Sequence, residues 1–319
     1  MITLIVPTRN RAYALRLVAP SYYEQFDVDE IVFVDDAGTD DTCAMLERLS
    51  RKYPGVTTKI VRNARRVGAS EARNLGVAEA SNEFVLFCDD DEYLEQGYAR
   101  TCLAKLLAYD AGAVSGRRIY LEEGESQDQA LQRFGTGWRR TAPFQRMLCE
   151  IVNAAKFTGD LSLPFTNAIV LTRKSLVHKY PYDPYYARGN GYREESDYQM
   201  NLFVRGYPIY VTNERHSFHL PKAEVNQGGQ RMRPIARIYW SVHYTRYFYR
   251  KYYTAYSRKV HLRTPRPVAL TAFALFVSYR ELVRTPLQDA LKRVRSRVDP
   301  RASARPSASR TASLRSAAA

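Results

Sequence analysis

Phe84-Val85-Leu86-Phe87-Cys88-Asp89-Asp90-Asp91 runs five apolar residues directly into three carboxylates. A short run that is apolar on both faces suits a strand covered on both sides, as strands of a parallel sheet are. Four similar runs rich in Val, Ile and Phe occur in the first 120 residues, at Ile2 to Val6, Glu30 to Val34, Thr57 to Val61 and Ala113 to Ile119. Between them lie stretches with helical periodicity at Ala12 to Glu24, Thr42 to Lys52, Ser70 to Ala80 and Glu95 to Tyr109. Alternation of the two periods predicts βαβ units and a mainly parallel, Rossmann-like sheet flanked by helices. Further on, a strand is expected at Asn167 to Thr172, a helix at Glu194 to Arg205 and a strand at Tyr207 to Val211, with helix and loop over Ser126 to Phe157.

Ligands of such sheets bind beyond the carboxyl ends of the strands. Polar residues stand at those ends: Pro7-Thr8-Arg9-Asn10 after the first strand, Asp35-Asp36 after the second and Asp89 to Asp91 after the fourth. Three adjacent carboxylates repel one another unless a cation compensates, and hard divalent ions such as Mg²⁺ or Mn²⁺ take oxygen ligands together with substrate phosphates. A solvated loop is the competing reading of the triplet alone. A carboxylate at a strand end, such as Asp36, suits a ribose or base, although a turn or cap is the alternative and Asp40 or Asp41 fits the cap better. The segment Val67 to Gly76 opens a helix whose N-terminus, beside Arg66 and Arg73, suits anionic oxygens.

Length, 319 residues, allows one large α/β domain with an appendage or two ordinary domains, at about 100 to 200 residues each. Hydrophobic residues at 45% and charged residues at 25% exclude wholesale disorder, collagen and coiled coil. Four cysteines (Cys43, Cys88, Cys102, Cys149) show no metal spacing, and a strand pattern begins at Ile2, so a reducing cytoplasm is expected.

The net charge of +15 is segregated. Residues 221–319 hold 21 Lys and Arg against 4 Asp and Glu, a net of +17, whereas residues 1–220 carry −2. A basic tail admits a nucleic-acid-binding protein as an alternative, but no recognised module accompanies it. Nine aromatics between Tyr239 and Tyr256, interleaved with Arg246, Arg250 and Lys251, instead suit the headgroup layer of a membrane, or packing on the preceding domain. The apolar run Val268 to Val277 would rise only about 15 Å as a helix, half of a bilayer's hydrocarbon core, so it can lie in an interface but not span.

Taken together, Val6 to Arg11, Val34 to Thr42, Gly68 with Ala72 to Gly76, Asp89 to Asp91 and Glu194-Glu195-Ser196-Asp197 followed by Arg205-Gly206-Tyr207 resemble, in order and spacing, a family 2 glycosyltransferase of the GT-A fold. The resemblance covers roughly residues 1–220. It implies an inverting transfer of a sugar from a nucleotide-diphospho-sugar to a hydroxyl of a glycan or lipid-linked acceptor, aided by Mn²⁺ or Mg²⁺. It also implies a place in polysaccharide or cell-envelope biosynthesis. A sugar-nucleotide-binding protein without turnover is the alternative on the same fold.

Carried over residue by residue, the resemblance puts Pro7, Arg9, Asp35, Asp36, Arg66, Arg73, Asp89 and Asp90 at the nucleotide sugar. Asp91, with Asp89 and His219, would ligate the metal; His216 is the weaker candidate. Glu195 stands where the family places its catalytic base, one methylene longer than the usual aspartate. Asp197, two residues on in a helix, is expected about 200° away and facing elsewhere. Pro164-Phe165-Thr166-Asn167 and the loop Tyr182 to Tyr192, whose aromatic faces can stack on sugar rings, are expected to recognise the acceptor, with Asn167, Glu194 and Tyr192 meeting it. The expected organisation is a catalytic domain over 1–220, a basic aromatic helical extension over 221–299 and a disordered tail over 300–319. The location expected is cytoplasmic, peripheral on the inner face of the cell membrane.

Overall fold

The computed structural model describes residues 1–136, 142–153, 155–221, 223–225, 232–288 and 290–291. Its elements are β1 (Ile2–Thr8), α1 (Ala12–Val18), α2 (Pro20–Tyr23), β2 (Val28–Asp35), α3 (Thr42–Ser50), β3 (Thr57–Arg62), α4 (Ala69–Glu79) and β4 (Phe84–Phe87). There follow β5 (Glu92–Leu94), α5 (Tyr98–Ala108), β6 (Ala113–Tyr120), α6 (Gln127–Thr136), β7 (Phe144–Gln145), β8 (Glu150–Ile151), β9 (Asp160–Ser162) and β10 (Val170–Arg173). The chain continues with α7 (Lys174–Lys179), a 3₁₀ turn at Pro184–Ala187, α8 (Glu194–Val204), β11 (Ile209–His219), α9 (Pro234–Lys259) and α10 (Arg266–Tyr279).

The main sheet has the order β3-β2-β1-β4-β10-β6-β11-β5, with β9 added on β11. Pairings β3-β2-β1-β4 and β6-β11 are parallel; β10 runs antiparallel between β4 and β6, and β5 antiparallel on β11. The expected α/β sheet is therefore present, mainly parallel, with a reversed strand inserted. One apolar layer gathers Leu4, Val6, Phe33, Leu86 and Leu171 under α1, α2 and α5; the other gathers Ile5, Val32, Val34, Phe87 and Val170 under α4 and α8. Alternate residues of the same strands fill the two layers, which is why these strands read as continuous apolar runs.

Several boundaries differ from expectation: β10 begins at Val170, α5 at Tyr98, and the strands β7 and β8 lie in the segment expected to be helix and loop. Two further differences have a plain cause. The single helix expected over Ala12 to Glu24 is two, because Pro20 begins α2 and its ring cannot continue α1's hydrogen-bond ladder. The strand expected to stop at Val211 extends to His219, with a register shift against β6 between Thr212 and His216. Its polar stretch, Asn213-Glu214-Arg215-His216, hides the strand period.

No packing break falls at residue 220. A third core cluster joins Phe144, Phe165, Met200 and Val211 of the first part to Phe248, Tyr249, Tyr252, Tyr253 and Tyr256 of α9, and Ala269 of α10 lies in it. Six of the nine aromatics between Tyr239 and Tyr256 are thus buried (Tyr244, Phe248, Tyr249, Tyr252, Tyr253, Tyr256), which is the packing on the preceding domain that the sequence offered as one of two readings. The expected tail, 300–319, lies outside the described residues. Phe248 is 1% exposed and meets Phe165 edge to face at 6.2 Å. Phe248→Ala is therefore expected to lower unfolding stability by about 3 to 5 kcal/mol in one cooperative denaturant transition. A loss confined to a separate minor transition would show that the extension folds apart.

Candidate active site

The carboxyl ends of β1, β2, β4, β6 and β11 converge with the N-termini of α4 and α8 on one cleft of about 580 Å³. Its lining includes Pro7, Arg9, Asp36, Arg66, Arg73, Asp89, Asp90, Asp91, Glu194, Glu195 and His219. Eleven residues singled out in the sequence are thus brought together. Asp35, Asn167 and Tyr192 are not in the lining.

Each of these three is occupied elsewhere. Asp35 Oδ1 accepts from the backbone N–H of Gly38 at 2.9 Å and shapes the turn after β2. Asn167 is buried: its amide donates to Gly116 O at 2.8 Å and its carbonyl accepts from Ile169 N at 2.9 Å, which corrects its expected place facing an acceptor. Tyr192 donates to Glu150 at 2.6 Å and packs on Phe273 of α10, so it too faces away from the cleft.

The triplet is divided by its partners. Asp89 accepts from Arg73 and Arg118, each at 2.9 Å. Burial would raise its pKa, but the two guanidiniums outweigh burial and hold it low. Asp90 accepts from Thr8 Oγ1 at 2.9 Å. Burial pushes it up to about 7 against the pull of Arg11, and the adjacent Asp91 adds to the rise. Tyr22 fixes the loop from below, its hydroxyl 2.7 Å from the carbonyls of both Asp89 and Glu92.

Antiparallel pairing of β5 with β11 sets Glu92 opposite His219 and so delivers His219 to the triplet. His219 Nε2 lies 3.7 Å from Asp91 Oδ1. Its Nδ1 lies 2.7 Å from Leu220 O, a carbonyl that can only accept, so Nδ1 carries the proton and Nε2 keeps its lone pair in the neutral ring. Burial lowers the His219 pKa against the pull of Asp91, with Arg118 adding to the fall, which favours that neutral ring. Ligand atoms of Asp91, Glu92 and His219 lie within 4.8 Å of one another. Two carboxylates and an imidazole suit a divalent ion such as Mn²⁺, so the donor set fits. It differs from the expected one in holding Glu92 where Asp89 was expected. Asp89 is engaged by Arg73 and Arg118, while Glu92, on the other side of the same turn, is the strand partner of His219 and also pairs with Arg118.

Asp36 lines the cleft with its carboxylate already engaged: it accepts from the backbone N–H groups of Val67 and Gly68 at 2.7 and 2.9 Å. That ties the end of β2 to the start of α4. Gly68 has φ of +89°, and a Cβ there would lie 2.7 Å from Ala187, so the loop over Pro184–Ala187 closes on α4 only because this residue is glycine.

At the start of α8, Glu194 forms a short ion pair with Arg73 and accepts from Ser70 Oγ at 3.3 Å. Burial pushes it up to about 7 even against Arg73. Glu195 lines the cleft half-buried. Burial also raises its pKa, Arg73 opposing and Asp89 adding to the rise. Asp197 faces away as expected: it accepts from Tyr186, Tyr252 and Lys251 at 2.8 to 3.0 Å. Arg193, the residue before Glu194, has φ of +81° and is buried; it donates to Cys149 O at 2.5 Å and pairs with Glu150 at 2.6 Å. Its guanidinium lies 5.0 Å from the ring of Phe248 and 5.2 Å from that of Phe273, so the extension holds the first turn of α8.

Sequence reasoning missed Arg118, Glu92 and Tyr120, whereas the lip Tyr186 to Gly191 falls within the loop Tyr182 to Tyr192 expected to recognise the acceptor. For Arg118 a signal existed, since Arg117-Arg118 interrupts an otherwise apolar strand.

A family model described as Glycosyl transferase family 2 matches residues 3–176. The chain is 33% identical over 105 residues to a GalNAc(5)-diNAcBac-PP-undecaprenol beta-1,3-glucosyltransferase of Campylobacter jejuni, covering 33% of this chain and 34% of that protein. It is 33% identical over 125 residues to glycosyltransferase GlyA of Streptococcus pneumoniae, covering 39% of this chain and 18% of that protein. The matched segments are thus a minor part of those relatives. Among solved structures, S. aureus TarS 1-349 in complex with UDP-GlcNAc is similar with a TM-score of 0.53 at 16% identity, over 75% of this chain and 64% of that one. Mannosyltransferase PcManGT from Pyrobaculum calidifontis, in complex with GDP-Man and Mn²⁺, is similar with a TM-score of 0.55 at 17% identity, over 94% and 81% of the two chains. These likenesses are of fold: a GT-A-type sheet.

Proposed function

The chain belongs to glycosyl transferase family 2, and we propose that it transfers a sugar from a nucleotide-diphospho-sugar to a hydroxyl of a glycan or lipid-linked acceptor by a single, inverting displacement. What carries the reading is one cleft in which a metal-capable set, basic residues and an unpaired-in-role carboxylate, Glu195, face the same space. The donors co-crystallised with TarS and PcManGT, UDP-GlcNAc and GDP-Man, support a nucleotide sugar as the substrate class.

Arg9 and Arg66 present positive charge to the diphosphate, and Pro7 and Asp36 form the floor of the nucleotide side. A divalent cation held by Asp91, Glu92 and His219 would offset the charge that develops on the departing nucleoside diphosphate. Glu195 accepts the proton of the acceptor hydroxyl as that oxygen attacks the anomeric carbon from the face opposite the leaving group. Two carboxylates would be needed for a covalent double displacement; one suffices here. The loop from Tyr186 to Gly191, in the lining of the same cleft, would bound the acceptor.

The test is nucleoside diphosphate release from a panel of UDP- and GDP-sugars with Mn²⁺, Mg²⁺ or chelator, with the product anomer read by NMR. Binding without release under every condition would leave only a sugar-nucleotide binder. A base works ionised, and burial raises the Glu195 pKa, so kcat is expected to fall as the pH drops through a value above 4.5, the ordinary glutamate pKa. A flat kcat profile between pH 4.5 and 8 would contradict the assignment.

A further inference from the structure

The face of α10 that turns away from α9 is apolar and uncovered. Ala269, Phe273, Val277 and Glu281 are buried against α9 and its neighbours, at spacings of four. On the opposite side Val268, Leu275, Tyr279 and Leu282, at spacings of seven, four and three, are between 53% and 67% exposed. Val283, Leu287 and Leu291 extend the exposed apolar set past the end of α10. A stripe of this length with no cover is unusual on a soluble surface and marks a docking site. Among the described residues no helix is long and apolar enough to cross a membrane.

Charge identifies the occupant. Exposed Arg263 and Arg266 stand at one end of the stripe. Beyond Leu291 in the sequence, residues 292–319 carry eight Lys and Arg against one Asp. The nearest described acid, Glu281, is buried and paired with Arg237 at 2.8 Å, so it does not offset that charge. A second copy of the chain would set basic flanks against basic flanks, whereas an anionic surface compensates them. We propose that this outer face of α10, with Leu282, Val283, Leu287 and Leu291 beyond it, docks on the surface of an anionic lipid bilayer, its apolar residues entering the headgroup boundary. The reading drops the α9 aromatics, six of which are core, and keeps membrane contact on the run Val268 to Val277, narrowed to its outer face. Phe273, on the inner face of the same helix, packs on Tyr192 at 6.0 Å, so docking holds the start of α8 close to the surface. The docking does not depend on the transfer proposed above; only its use for a lipid-linked acceptor does.

The test is sedimentation of the full chain with vesicles of phosphatidylcholine alone and of phosphatidylcholine with phosphatidylglycerol. Binding is expected only to the anionic vesicles, weakening between about 0.05 and 0.5 M salt as surface charge is screened. The double variant Leu275→Glu with Leu282→Glu, at exposed positions, is expected to lose about tenfold in vesicle affinity while keeping its melting temperature and its nucleoside diphosphate binding. Arg263→Gln with Arg266→Gln, which leaves the stripe untouched, is expected to weaken binding at low salt but not at high salt. Equal binding to both vesicle types, or unchanged binding by the Glu double variant, would overturn the proposal. So would a dimer in sedimentation velocity that the same variant dissociates, since the stripe would then be an interface between copies. Failure of the unmodified chain to bind any nucleoside diphosphate, with the vesicle results as expected, would count against the transfer reading and leave this one standing.

Discussion

Asp91→Asn is expected to weaken Mn²⁺-dependent binding of a nucleoside diphosphate by at least about 100-fold, the upper range for disturbing a metal's supporting shell, since here a direct ligand is changed. The amide keeps the volume of the carboxylate but removes the charge, and the His219 ring that faces it at 3.7 Å is neutral, so only Glu92 would remain as an anionic donor. The fold is expected to survive. Asp91 holds β11 through its backbone carbonyl, which accepts from Leu220 N at 2.9 Å and is untouched by the change. Its side-chain ion pair with Arg11, 3.6 Å long, is shared with Asp90, and losing it also relieves repulsion between adjacent carboxylates. Calorimetric titration of UDP and GDP with Mn²⁺ and with chelator separates the metal-dependent part. Unchanged metal-dependent binding in this variant would sink the assignment of the Asp91 set.

Much of this site was legible because strand ends are where one period of the sequence gives way to polar residues. Asp36, Asp89 to Asp91 and Arg9 each follow an apolar run, and a parallel sheet gathers such ends on one edge. What was not legible depends on pairings between distant strands. His219 was within reach by spacing, but its partner Glu92 emerges only from the antiparallel match of β5 with β11, across a strand whose polar middle concealed it. The same holds for Arg118, which arrives beside Asp89 from β6. The aromatic stretch of α9 admitted two readings, a headgroup layer or packing on the preceding domain. Composition registered Tyr next to Arg, but burial follows the helical face: Tyr244, Phe248 and Tyr252 at spacings of four face the core, and Arg246 and Arg250 between them face out.

Glu195→Gln is expected to keep donor and metal affinity while lowering kcat by a factor of about 10² to 10⁴, the usual worth of a general base. The amide fills the same space at the start of α8 but has no basic oxygen for the acceptor's proton. Neighbouring carboxylates provide the contrast. Glu194 is spent on Arg73 and Ser70, so Glu194→Gln is expected to disturb the clamp between α4 and α8 and to change donor affinity together with turnover. Asp197 lies in a closed set with Tyr186, Tyr252 and Lys251, so Asp197→Asn is expected to cost stability and to leave turnover of the folded fraction near normal. Measured at saturating donor, with melting temperature followed in parallel, the three variants separate a base from a clamp and from a strut. If Glu195→Gln turns over at nearly the normal rate while Asp197→Asn, still folded, does not, the proton goes to the buried side of α8. The cleft-facing carboxylate would then be a binding group.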